Sequence, residues 1–145
     1  MIKKITTILC LALLFVSCKS TSNTQEKSLS NFDANTVWVL KSIKNKTITF
    51  GANEKPVTIS FNSEAKSFNG YSGCNTFFGS YEESKVGEIA LGEIIRTKKA
   101  GPQATMELEN LFISTLRKVN MYKITEKSLE LYQNETLALS FDKQE

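Results

Sequence analysis

Along the chain, apolar and polar positions repeatedly alternate with a period of two and take up a period of three to four only once. Val57-Thr58-Ile59-Ser60-Phe61 is a clean alternation, the pattern of a strand with one buried and one solvated face. Thr36–Lys44, β-branched and aromatic, predicts a first strand with Trp38 and Leu40 on one face. Thr47–Phe50 predicts a short second strand, residues 51–56 a loop, and residues 62–66 a turn leading into Ser67–Tyr71. Glu88–Ile95 reads as a single strand, with Ile89 and Leu91 on a shared face and Gly92 as a bulge. Met121–Thr125, Ser128–Tyr132 and Thr136–Phe141 follow at hairpin spacing and close the chain.

The exception to the two-residue period lies between these groups. Leu108, Leu111, Phe112, Thr115, Leu116 and Val119 recur at helical spacing and form one apolar stripe. Pro102 suits a first helical position, Glu107 and Glu109 the positive end of the helix dipole, and Arg117 and Lys118 its negative end. The Leu111/Phe112/Leu116 face is expected to pack on the concave side of the sheet. Strands, one helix near residues 102–118, then strands predict an α+β fold with a mostly antiparallel, barrel-like sheet.

The chain is organised around Phe68–Tyr81, which holds Gly70, Gly73 and Gly79, three of the seven glycines. Glycine among aromatics predicts strand, tight turn, strand, with the turn near Ser72–Asn75. Asn75 suits left-handed turn geometry, and the three glycines suit turns and close packing. Cys74 is expected to be a buried, unpaired packing residue.

The N-terminus has a different character. Lys3 and Lys4 precede an apolar run, Ile5–Val16, of about a dozen residues. That is short of the roughly 20 needed to span a membrane and fits a secretory signal. Phe15-Val16-Ser17-Cys18 resembles a bacterial lipobox, so residues 1–17 are read as a signal peptide and Cys18 as the lipidated residue. Acyl chains there would hold the protein on a membrane without a spanning helix. Residues 18–35 then read as the lipidated cysteine and a flexible polar tether, with Leu29, Phe32 and Ala34 its apolar residues. Residues 36–142 form the folded domain. Lys19 after Cys18 points to the outer membrane, facing the periplasm.

Composition narrows the chemistry. The chain has 18 Lys/Arg against 15 Asp/Glu, and Lys3 and Lys4 leave with the signal, so the processed chain is nearly neutral. It offers no electrostatic footprint for nucleic acid. A histidine count of zero removes imidazole bases, catalytic triads and His-ligated metals. Of the three cysteines, Cys10 falls in the signal and Cys18 in the lipobox, which leaves Cys74 without an intrachain partner. No metal and no cofactor is expected. Glu82-Glu83 alternates faces on a strand and reads as a solvated turn.

These residues resemble the META domain, a family that includes a heat-inducible bacterial lipoprotein and a trypanosomatid homologue. The resemblance runs through Trp38, Leu40, Ile59-Ser60-Phe61, Gly70, Gly73-Cys74-Asn75, Phe78-Gly79-Ser80-Tyr81, Ile89 and Leu91, and Thr97–Ala100. It continues with Glu109, Phe112 and Leu116 on the helix and Tyr122, Ile124, Leu129, Leu131 and Phe141 in the closing strands. The chain departs from the family at one step, reading Lys99-Ala100-Gly101 where Met-Ala-Cys is usual. The resemblance implies a small cracked barrel with one packed helix, similar in shape to type III secretion pilot lipoproteins, one of which holds a lipid tail. Gly70, Gly73, Cys74, Asn75, Gly79, Tyr81 and Glu109 form the family motif and are read as structural, and no enzymatic activity is established for the family.

The resulting expectation is a monomeric, non-enzymatic envelope lipoprotein that supports stress tolerance. Its partners would be the membrane, through the lipid anchor, and either another envelope protein or a small apolar ligand. The alternatives are an envelope enzyme using carboxylates such as Glu88, Glu93 and Glu107, or a purely structural spacer.

Overall fold

The computed structural model describes residues 32–33 and 36–145; the expectations for the signal, for Cys18 and for most of the tether lie outside the described residues. Ten strands and one helix occupy the described part. In chain order they are β1 (Trp38–Ile43), β2 (Lys46–Thr47), β3 (Thr58–Asn62), β4 (Ser67–Tyr71), β5 (Thr76–Glu82), β6 (Ala90–Leu91) and β7 (Ile95–Arg96). The helix α1 (Gln103–Leu116) and strands β8 (Met121–Ile124), β9 (Ser128–Gln133) and β10 (Thr136–Lys143) complete the fold.

The strands pair antiparallel in the order β6-β5-β4-β3-β1-β10-β9-β8, with β2 on β1 and β7 on β5. The sheet curls until its ends meet at one point. Glu88 bridges Met121, Tyr122 N donates to Gly87 O at 2.9 Å, and Ile89 N donates to Asn120 O at 3.1 Å. The architecture is the expected α+β fold, an open barrel with one helix.

Inward positions of the alternating strands supply the core, with Trp38, Leu40, Ile59, Phe61, Phe68, Phe77, Leu129, Leu131 and Phe141 all buried. The helix adds Phe112, whose ring meets Phe77 at 5.6 Å and Phe141 at 6.4 Å, and the fully buried Leu116. Leu111 does not join them. It is 41% exposed, and Ile113, outside the expected stripe, is buried in its stead, because the inward face of α1 is rotated toward the 109–112–113–116 positions; Thr115 is buried as its place on the stripe suggested.

Other sequence expectations change where polar contacts or packing override the pattern. The helix starts at Gln103 with Pro102 in the N-cap position, and no acidic residue lies in its first turn and no basic residue in its last. Glu88–Ile95 is not one strand. Gly92 comes so close to Ser80 that a Cβ would lie 2.7 Å from Ser80 Oγ, and Ile94 turns inward while Ile95 turns out. The segment therefore breaks into β6 and β7, which both pair with β5. Of residues 47–50 only Thr47 is in a ladder, although Ile48 and Phe50 still pack against the core. Glu82 ends β5, and the Glu83 side chain is shielded rather than solvated, accepting from Tyr122 Oη at 2.7 Å and Lys66 Nζ at 2.9 Å.

Phe32 departs furthest from the sequence reading. Rather than lying in a free tether it is 1% exposed. Its ring stacks on Phe61 at 4.2 Å, lies 4.8 Å from Tyr122 and meets Tyr81 edge-on at 5.6 Å. The folded unit thus includes a residue ahead of the first strand, pinned by aromatic packing.

Candidate functional site

The turn between β4 and β5 is built on Gly73, whose φ of +116° lies in the left-handed region that favours glycine. Glycine, and not Asn75, therefore supplies the left-handed residue of this turn. Ser72 N donates across the turn to Asn75 O at 2.8 Å, and the Tyr71 hydroxyl donates to Gly73 O. Gly70 and Gly79 serve the neighbouring strands by close approach. A Cβ at Gly70 would clash with Thr58 O, and one at Gly79 would sit 2.6 Å from the Phe68 ring. Tyr81 is buried, and burial followed by the nearby Glu83 charge pushes its hydroxyl up to about 12.

The turn is clamped from the helix by Glu109, which is 4% exposed. Its Oε2 accepts from Ser72 Oγ at 2.6 Å, Asn75 N at 2.8 Å and Cys74 N at 3.3 Å. Its Oε1 accepts from Asn75 Nδ2 at 2.9 Å and from Arg96 Nη1 at 3.0 Å. Burial alone would raise this carboxyl. The hydrogen bonds from Ser72 and Asn75, then those from the backbone of Asn75 and Cys74, outweigh it and hold the group below the ordinary glutamate range. Glu109 therefore does not serve the helix dipole, as its sequence position suggested. It sits in the second turn and satisfies four donors of one β-turn and a strand arginine.

Asn75 extends the clamp. Its Oδ1 accepts from Thr97 Oγ1 at 2.8 Å and Lys99 N at 2.7 Å, and its Nδ2 donates to Lys99 O at 3.2 Å. Both donors and both lone pairs of the amide are used, which fixes residues 97–99 against the turn. Neither Arg96 nor Ser72 stands out in the sequence. A lone arginine closing the apolar run Ile94-Ile95 was the available signal for the first.

Ser72 and Asn75 turn inward to meet Glu109, and Cys74 between them is displaced outward. It is half-buried, not buried, and free, with Sγ 3.4 Å from Lys99 O. A Cβ on Gly101 would come within 2.6 Å of that sulfur, so glycine there leaves the thiol uncapped.

Cys74 lines a groove of about 510 Å³ between the 49–55 segment and the first turns of α1. Phe50, Tyr71, Pro102 and Leu108 give it apolar walls, and Thr49, Thr105 and Lys55 give it polar groups. Lys55 Nζ is held 4.3 Å from the centroid of the Tyr71 ring, a cation–π contact. Glu54 is folded onto its own loop, its Oε2 accepting from Gly51 N at 2.8 Å.

The carboxylates suggested for catalysis are not gathered in this groove. Glu88 lies elsewhere, paired with Lys85 at 2.8 Å, and that contact holds it below the ordinary range. Glu93 and Glu107 are exposed.

Fold and site together define a small open-barrel domain whose glycine turn is locked to helix α1 by a buried carboxylate. The chain belongs to the META domain family, whose model matches residues 18–145. No curated protein matches it. Among solved structures, it is similar to a protein from Burkholderia xenovorans determined by NMR, with 21% identity and a TM-score of 0.61 over 78% of this chain and 83% of that one. A second NMR structure is 26% identical, with a TM-score of 0.56 over 75% of this chain and 89% of that one. A DUF4847 family protein from Bacteroides vulgatus ATCC 8482 shares the fold at 16% identity, with a TM-score of 0.53 over 75% of this chain and 92% of its own.

Proposed function

We propose that this META-domain protein is a non-enzymatic binding domain of the cell envelope, anchored through a lipidated Cys18, whose groove beside the Cys74 turn takes a small apolar ligand. The observation that carries the reading is the groove itself. At about 510 Å³ it falls within the range of small-molecule sites, and apolar and polar side chains line it in similar measure. The barrel interior, by contrast, is filled by its own aromatic residues. Of the carboxylates the catalytic alternative would use, Glu88 is paired with Lys85 and Glu93 and Glu107 are exposed, and none of the three lines the groove.

The test is a thermal-shift and NMR titration of the protein with small apolar probes, repeated on Leu108→Glu. Leu108 is half-buried on the groove wall, so a carboxylate there would occupy the space and repel apolar ligands. Binding with shifts confined to the groove, lost in Leu108→Glu, is the expected result. Probes that shift no groove resonance would sink the reading. Anchoring is tested separately: Cys18→Ser should abolish palmitate incorporation, and labelling that survives would rule out the lipobox.

A second reading, contact with another envelope protein, draws on a different surface. Phe78 and Ile95 are paired across β5 and β7 and are 53% and 48% exposed. Replacing both by Ser should weaken capture of any such partner and leave ligand binding in the groove unchanged.

A further inference from the structure

Lys55 and Glu54 both line the groove, but the two charged side chains are committed differently. Glu54 turns back to accept from Gly51 N at 2.8 Å, and it packs so closely that a Cβ on Gly51 would touch its carboxyl carbon at 3.4 Å. Lys55 has no carboxylate partner among the described residues. Its ammonium is held over the Tyr71 ring, which faces the groove, and Tyr71 is itself steadied by its bond to Gly73 O. An ammonium held by a ring face keeps its hydrogen-bonding capacity for an incoming acceptor. The start of α1, with no acidic residue in its first turn, adds a field of the same sign. The same groove is lined by the apolar side chains of Phe50 and Leu108, both half-buried.

We propose that the occupant of the groove is a small amphiphile with one anionic head and an apolar body, the head paired with Lys55 and the body laid along Phe50 and Leu108. This rests on the groove being a ligand site, and it adds the ligand's charge and orientation. A neutral hydrocarbon would leave the Lys55 ammonium facing an apolar body, and a cation would meet it at close range. An anion satisfies it. A carboxylate head and a phosphate or sulfonate head share this chemistry.

The test uses the full chain and three probes of equal length: decanoate, decanol and decyltrimethylammonium. The expected order has decanoate tightest and the cation weakest. Lys55→Met, which keeps the apolar stem, should weaken decanoate about fivefold, the reach of a single half-exposed ion pair, and leave decanol unchanged. Decyl phosphate and decyl sulfonate then decide which head the corner prefers. If no probe binds, the groove is not a ligand site and the functional reading itself fails. If decanol binds as tightly as decanoate, or Lys55→Met leaves decanoate untouched, the groove stands and the anionic head is wrong. Lys55 is exposed on a loop, so its variant folds, and an unchanged melting temperature confirms that the loss is one of recognition.

Discussion

At Glu109 a carboxylate is removed from water and given five hydrogen bonds in return, and the balance favours the charged form. The sign of its pH dependence follows. Its folded pKa lies below its unfolded value, so its contribution to stability is complete above the ordinary glutamate range of about 4.3 and is lost as pH falls through the folded pKa. Glu109→Gln should lower stability at neutral pH, by about 1–3 kcal/mol, because the amide leaves part of the turn's buried donors unsatisfied while the half-exposed Arg96 is solvated. It should also flatten the acid limb of a stability–pH profile; an unchanged acid limb in urea unfolding would show that the network is not what lowers this group. The neighbouring thiol gives a second prediction. A Cβ at Gly101 would stand 3.5 Å from Cys74 Cβ, at the short edge of disulfide geometry. In Gly101→Cys the new thiol should therefore oxidise onto Cys74, and the resulting disulfide should stabilise the domain by about 2–4 kcal/mol. Two thiols that stay titratable in the native variant under mild oxidant would contradict the geometry.

Among the elements, two-residue periodicity located the strands because each has one buried and one solvated face. It failed wherever a single residue was set by something beyond the next turn of chain. Phe32 is the clearest case. One aromatic in a polar stretch carries no periodicity, and only the socket formed by Phe61, Tyr81 and Tyr122, none of them near it in sequence, decides its fate. Phe32→Ala should cost about 3–5 kcal/mol, the range for a buried aromatic, whereas a free tether residue would cost nothing measurable. The helix offers the matching contrast. Its stripe was legible, but the rotation that buries Glu109 and exposes Leu111 was not, because an apolar stripe does not reveal a glutamate that will be satisfied internally. Leu116→Ala should cost about 2–4 kcal/mol and Leu111→Ala about 0.5 or less. Equal losses in denaturant unfolding would mean that the helix is rotated from the face described here.

Over the domain as a unit, the sequence carried the fold further than the site. The glycines, Cys74, Asn75 and Glu109 were all visible as a motif, and a structural reading of each was available. The spatial logic was not, because Glu109 is 34 residues from Asn75 and its role depends on the two meeting. That meeting turns Ser72 and Asn75 inward and Cys74 outward, so a thiol expected in the core becomes part of the wall of a groove. Both ligand proposals, the groove as a site and its anionic occupant, depend on that groove being open in the native protein with Cys74 facing it. Thiol labelling of the native full chain, with the modified peptide containing Cys74 followed by mass spectrometry, probes both at once. Cys74 should be labelled without unfolding, at a rate insensitive to low denaturant, and saturating decanoate should slow it. Labelling of Cys74 that proceeds only as fast as the protein unfolds, or that ignores the ligand entirely, would contradict the groove and its occupant.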